Sequence, residues 1–199
     1  MIDVGENNVI IVAPIYNKID KLAKIENFIS KNTILILNGD VCYPYENIQE
    51  IENRISVLDA FIKKYSAHYL IGNKDLLYLS NNKYNNFIKK WVDRQKLTLT
   101  IKFNNNTTTT ILHGGITKSM KSFDDLNTLE VCFVDKIDNK LWHEYYNGRF
   151  GDIISSNPNS NEGIKFFNHS ISLDNLSYET DKLYIIEYDK YAQLKYYYV

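Results

Sequence analysis

The chain has 199 residues, a formal charge of −1, 44% hydrophobic and 24% charged residues. That is enough for one domain spanning residues 1–199 with a full core and no staples. Near-neutrality argues against a general nucleic-acid binder, and no apolar run reaches membrane-spanning length.

Cys42 and Cys132 are too few for a disulfide framework, so a reduced, intracellular, cytoplasmic setting is expected. The start, Met1-Ile2-Asp3-Val4-Gly5-Glu6, lacks the basic opening and apolar stretch of a signal peptide. Usage is skewed to Tyr, Asn, Ile and Lys, with arginine only at Arg54, Arg94 and Arg149. That skew suggests an AT-rich genome, viral or parasitic.

In chain order, Val9 to Val12 reads as a buried parallel strand. Asp20 to Ile29 follows as a helix with Leu22, Ile25, Phe28 and Ile29 inward. Ile34 to Leu37 is the next strand, Ile48 to Lys64 a helix with Ile48, Ile51, Ile55, Leu58 and Ile62 inward, and Ala67 to Ile71 the third strand. This β-α-β-α-β series predicts a parallel sheet with right-handed crossovers. A helix is expected around Phe87, Ile88 and Trp91, then strands over Leu97 to Phe103 and Thr108 to Leu112 across the turn at Asn104 to Thr107. From there antiparallel pairing is expected. Ser122 to Leu129 reads as a helix capped by Ser122, Asp152 to Ser155 as a short strand, and Ser156 to Gly163 as a polar loop. Ile164 to Phe167, Leu183 to Tyr188 and Leu194 to Val199 close the chain as strands.

Four of these apolar runs stop at a Gly or Pro beside a polar residue: Ala13-Pro14-Ile15-Tyr16, Asn38-Gly39-Asp40, Gly72-Asn73-Lys74-Asp75 and His113-Gly114-Gly115. An α/β enzyme places its chemistry at such strand ends. A two-cation hydrolytic site needs a bridging carboxylate ringed by oxygen and nitrogen ligands. Asp40, Asn73 and His113 supply a carboxylate, an amide oxygen and an imidazole, and neighbouring strands would bring them together. Each also has a structural reading: Asp40 as a turn residue, Asn73 as a helix cap, His113 as a hydrogen-bonded core histidine.

In order and spacing these segments resemble the metallophosphatase (calcineurin-like phosphoesterase) superfamily, and most the branch of serine/threonine protein phosphatases and diadenosine tetraphosphatases. That family carries Gly-Asp-x-His-Gly, Gly-Asp-x-x-Asp-Arg-Gly, Gly-Asn-His-Glu, His-Gly-Gly and Gly-His-Thr-Pro. The corresponding places here are Ala13-Pro14-Ile15-Tyr16-Asn17, Gly39-Asp40-Val41-Cys42-Tyr43-Pro44, Gly72-Asn73-Lys74-Asp75, His113-Gly114-Gly115-Ile116 and Ser155-Ser156-Asn157-Pro158. Further likeness lies in Thr117-Lys118-Ser119 running into Phe123 to Leu126, in Leu141-Trp142, and in Ile171 to Asp174. The resemblance implies an α/β fold, a four-layer α-β-β-α sandwich with mixed sheets.

Carried over position by position, it implies a damaged site. Pro14 and Tyr16 stand where the first metal's Asp and His belong, Ser156 where the second metal's last His belongs, and Lys74 where the leaving group's His belongs. Pro44 replaces the phosphate-gripping Arg. Asp40, Asn73 and His113 remain as an incomplete metal set, and Lys74 and Asp75 as vestiges of the catalytic motif. Groups that act as a unit do not lose activity in proportion.

The expectation is therefore a pseudophosphatase with no cofactor, acting as a scaffold for protein partners, as a homo-oligomer, or within a virion or other large assembly. The alternative is a divergent phosphoesterase holding one weakly bound Mn²⁺, Mg²⁺ or Zn²⁺ at Asp40, Asn73 and His113. A third reading is a phosphate or nucleotide binder without chemistry, using the amides near Gly39 and Gly72. Lys74 is expected on a loop with its ammonium facing Asp40, against a bland reading as a solvated lysine. His68 is expected to be packed or half-exposed and His143 to lie on a surface helix. His169 is a loop residue that could replace the lost ligand, and Cys42 a buried small hydrophobe. The tyrosines at Tyr145-Tyr146 and Tyr196 to Tyr198 suit an interface.

Overall fold

A computed structural model describes residues 1–43, 45–81, 85–134, 136–137, 140–156, 163–173 and 182–199. Pro44, Asn157, Pro158 and Asp174, and most of the loop after Ser156, lie outside the described residues. The strands are β1 (Ile2–Asp3), β2 (Asn8–Val12), β3 (Thr33–Asn38), β4 (His68–Leu70), β5 (Thr98–Lys102), β6 (Thr108–Leu112), β7 (Lys136–Ile137), β8 (Lys140–Leu141), β9 (Asp152–Ser155), β10 (Ile164–Phe167), β11 (Ser170–Leu173), β12 (Tyr184–Tyr188) and β13 (Leu194–Tyr198). The helices are α1 (Leu22–Ile25), α2 (Ile48–Tyr65), α3 (Asn73–Asn81) and α4 (Asn86–Val92).

Two mixed sheets form the α/β body. One has the order β13-β12-β2-β3-β4, the other β1-β5-β6-β9-β11-β10. β2, β3 and β4 run parallel, as crossovers through helical segments require, and β12 and β13 add to them antiparallel. In the second sheet β5 and β6 pair antiparallel as expected, but β9 pairs parallel with both β6 and β11. One core joins the sheets: Ile10, Ile11, Leu35 and Leu37 share it with Ile111, Ile154 and Leu173. Each such aliphatic side chain contributes about 1.5–3 kcal/mol by leaving water.

α2 buries Ile51, Ile55, Leu58 and Phe61; Ile48 is exposed and Ile62 only partly buried. It starts where the Asn47 side chain accepts the Gln49 amide at 2.8 Å and stops at Ser66 in the left-handed region.

The expected helix from Asp20 to Ile29 is instead one α turn between two 3₁₀ turns, Ile19–Lys21 and Glu26–Phe28. The expected helix from Ser122 is also replaced by 3₁₀ turns, Asp124–Asn127 and Leu129–Cys132. In both places the chain makes short turns that each bury at most two residues. Asn73, Lys74 and Asp75, expected on a loop, open α3. β1 and β11 have too few apolar residues to stand out in sequence, yet tertiary pairing makes them strands.

Candidate functional site

The carboxyl ends of β3, β4, β6 and β9 meet at one place, and Asn38 stitches the two sheets there. The last residue of β3, it donates through Nδ2 to Leu112 O at 3.1 Å and to Ser156 Oγ at 2.7 Å. Its carbonyl oxygen meets His113 Nδ1 at 3.0 Å, and Ser156 N donates to His113 O at 2.8 Å. Asn38 Oδ1 has no partner among the described residues, although it is buried. Buried polar atoms are rarely left so, which marks this crossing as a point of tension in the core.

Asp40 follows in a left-handed conformation with φ 57°, buried. Its Oδ1 accepts the Lys74 amide at 2.9 Å, and its Oδ2 lies 3.3 Å from His113 Nε2. Burial opposes a charged imidazolium at His113, but the charge and hydrogen bond of Asp40 and the Asn38 carbonyl outweigh it and raise its pKa. Glycine is required on both sides. A Cβ on Gly72 would fall 2.0 Å from Asp40 Oδ1, and one on Gly39, itself at φ 84°, would fall 2.6 Å from His113 Nδ1.

Asp75 organises the loop. Fully buried, it accepts Asp40 N at 3.1 Å, Val41 N at 3.0 Å, Cys42 N at 2.9 Å, Gly72 N at 3.1 Å and the Tyr69 hydroxyl at 2.7 Å. These amides form the anion-binding nest expected near Gly39 and Gly72, and an internal carboxylate fills it. Those four amides are therefore already taken by Asp75. Burial and the Asp40 charge push the Asp75 pKa up, against the hydrogen bonds that favour its charged form. From α2, Arg54 donates to Val41 O at 2.9 Å and to both Glu46 oxygens at 2.8 and 3.0 Å, tethering the same loop.

Lys74 reaches Asp40 through its amide. Its ammonium lies 4.1 Å from the centre of the Tyr16 ring and 4.8 Å from that of Tyr43. It is thus held on aromatic faces, not as a solvated loop lysine. Tyr16 is buried and left-handed at φ 52°, a strained state for a bulky residue. Pro14 is buried beside it in the chain. Asn73 takes the first position of α3.

The other candidates lie elsewhere or do other work. His169 sits 3.6 Å from Asp152, at the far end of β9 from Ser155, and so does not replace a ligand. His143 is buried, not on a surface helix. It stacks on Trp142 at 3.9 Å and Phe167 at 4.6 Å, with Ser170 Oγ at 2.8 Å and Ser155 Oγ at 3.2 Å. Burial pushes its pKa down to about 3. His68 is half-buried, as expected, and burial lowers its pKa. Cys42 is buried and reduced, and burial first, then Asp75, drives its thiol pKa far up, so it is no nucleophile. Sequence reasoning missed Asn38 and the structural part of Asp75. The polar Asn38 ending an apolar strand was the available signal.

The family's two-metal centre does not fit these residues. Pro14 has no donor atom, the Tyr16 ring carries an ammonium on its face, and both Asp40 oxygens are engaged. Among the described residues, no three His, Cys, Asp or Glu side chains are grouped to hold a metal ion, and no helix is long and apolar enough to cross a membrane.

A family model described as calcineurin-like phosphoesterase matches residues 9–197. No curated protein matched. Among solved structures, a candidate diadenosine tetraphosphatase is 15% identical with a TM-score of 0.70, over 97% of this chain and 94% of its own. A serine/threonine phosphatase from Saccharomyces cerevisiae, with similarity to human phosphatase PP5, is 11% identical with a TM-score of 0.63, over 97% of this chain and 79% of its own. A cold-active protein-tyrosine phosphatase of a psychrophilic Shewanella species is 15% identical with a TM-score of 0.56, over 96% of this chain and 80% of its own. At such identities these neighbours speak for the fold alone, and the matched family model spans nearly the whole chain. The chain therefore belongs to the calcineurin-like phosphoesterase family.

Proposed function

We propose that this chain is a catalytically degenerate member of its family, a pseudophosphatase that serves as a protein-binding or structural component of an assembly. One observation carries the reading. Where the family's first-metal ligands belong stand Pro14 and a Tyr16 whose ring holds the Lys74 ammonium at 4.1 Å. Hydrolysis by this fold needs a metal pair to generate and aim the nucleophile, and one lost partner removes the clamp. The amides that might have cradled a phosphate are taken by Asp75. Exposed aromatics such as Tyr45, Tyr191, Tyr196 and Tyr198 offer the kind of side chain that protein interfaces favour.

A single-cation phosphoesterase is the second reading, and one observation favours it. The contact of His113 Nδ1 with Asn38 O is the kind that aims the other ring nitrogen at a metal. One assay tests both. With p-nitrophenyl phosphate and MnCl₂, the proposal expects no release above buffer. A rate that disappears in Asp40→Ala would overturn it and establish the second reading.

A further inference from the structure

We propose that Lys74 is a built-in cation: its ammonium, held on the rings of Tyr16 and Tyr43, stands in for a first metal ion and ties the strand ends together without bound metal. This deepens the degenerate reading and rests on it.

Three elements converge on this one residue. Lys74 is the second residue of α3, and its amide donates to Asp40 Oδ1 at 2.9 Å, which anchors the start of the helix at the buried carboxylate. Its ammonium lies on two rings from two other strand ends, Tyr16 after β2 at 4.1 Å and Tyr43 after β3 at 4.8 Å. The close approach of α3 depends on Gly72, where any Cβ would strike Asp40. Tyr16 is held buried at φ 52°, a conformation that bulky residues avoid. That strain has a stated return: it supplies a ring face to the ammonium.

The chemistry follows from charge. Aromatic faces attract an alkylammonium through their quadrupole, most strongly when water is excluded. A dication entering the same space would meet a fixed positive charge and a ring face instead of lone pairs. Metal ions should therefore leave the protein's stability unchanged, whereas removal of the lysine charge should not.

The experiment is thermal unfolding of the full chain in EDTA and in MnCl₂. The wild type is expected to melt at the same temperature in both. Lys74→Met, which keeps the bulk and loses the charge, is expected to melt about 4 °C lower or more, and Lys74→Arg to recover most of that loss. If Lys74→Met does not fold, Lys74→Arg decides alone: wild-type melting supports the proposal and failure to fold overturns it. A wild type that loses stability in EDTA, or a Lys74→Met melting like wild type, also overturns it. An inactive protein with an unperturbed Lys74→Met sinks this inference and leaves the degenerate reading standing. Phosphate release that disappears in Asp40→Ala sinks that reading itself.

Discussion

Replacing Asp75 by Asn should destabilise the protein more than removing the Tyr69 hydroxyl that it also binds. The carboxylate is fully buried, and its two oxygens divide five donors. Oδ1 takes Val41 N and Cys42 N, while Oδ2 takes Asp40 N, Gly72 N and the Tyr69 hydroxyl. Asparagine keeps the shape but turns one oxygen into an NH₂ group. With the NH₂ group at the Oδ1 place, Cys42 N loses its acceptor while Val41 N keeps the Tyr69 hydroxyl at 3.0 Å; turned the other way, the NH₂ group faces Asp40 N and Gly72 N. Leaving a buried donor unmatched costs about 1–3 kcal/mol, so the better orientation costs roughly that much. For a chain of this size that lowers Tm by about 2–12 °C. Tyr69→Phe is the control: it deletes one donor to Asp75 and one of two acceptors of Val41 N, which keeps Asp75 Oδ1, and should cost about 1 kcal/mol. Differential scanning calorimetry of the three proteins measures both. An Asp75→Asn variant melting no lower than Tyr69→Phe would refute the claim that this carboxylate holds the Asp40 loop.

Two further outcomes follow from the same geometry. Gly72→Ala should fail to fold or melt far below wild type, because its Cβ would sit 2.0 Å from Asp40 Oδ1; Gly72→Ala with wild-type thermal unfolding would contradict the close approach of the two strand ends. His143, with its pKa pushed down to about 3, is neutral when folded. Unfolded, it binds a proton below about pH 6.5, so its stabilising effect is complete above that value and is lost as pH falls towards the folded pKa. Between about pH 7 and pH 5 that loss is about 2 kcal/mol. The raised pKa of His113 acts on the other side, above the unfolded value. Urea unfolding of wild type and His143→Gln at both pH values isolates the difference, and equal pH slopes would refute it.

Apolar runs ending in Gly or Pro were enough to place β2, β3 and β4 and to call them parallel, because hydrophobic continuity and helical spacing are local signals. The same reading found Asp40 and His113, which the fold brings to 3.3 Å. It placed Asn73 to Asp75 on a loop, because nothing local distinguishes a turn from the first turn of α3. His143 looked like a surface residue, since stacking on Phe167 links positions far apart in the chain. The structural role of Asp75 was not visible locally, since its donors come from the segment after β3 and from Gly72 and Tyr69.

What residue identity alone determined is that the side chain of Pro14 can bind no metal and donate no proton. Only the tertiary structure decided what the remaining groups do. The roles of Lys74 and Asp75 depend on which ring faces and amides the packed strand ends bring within a few ångströms.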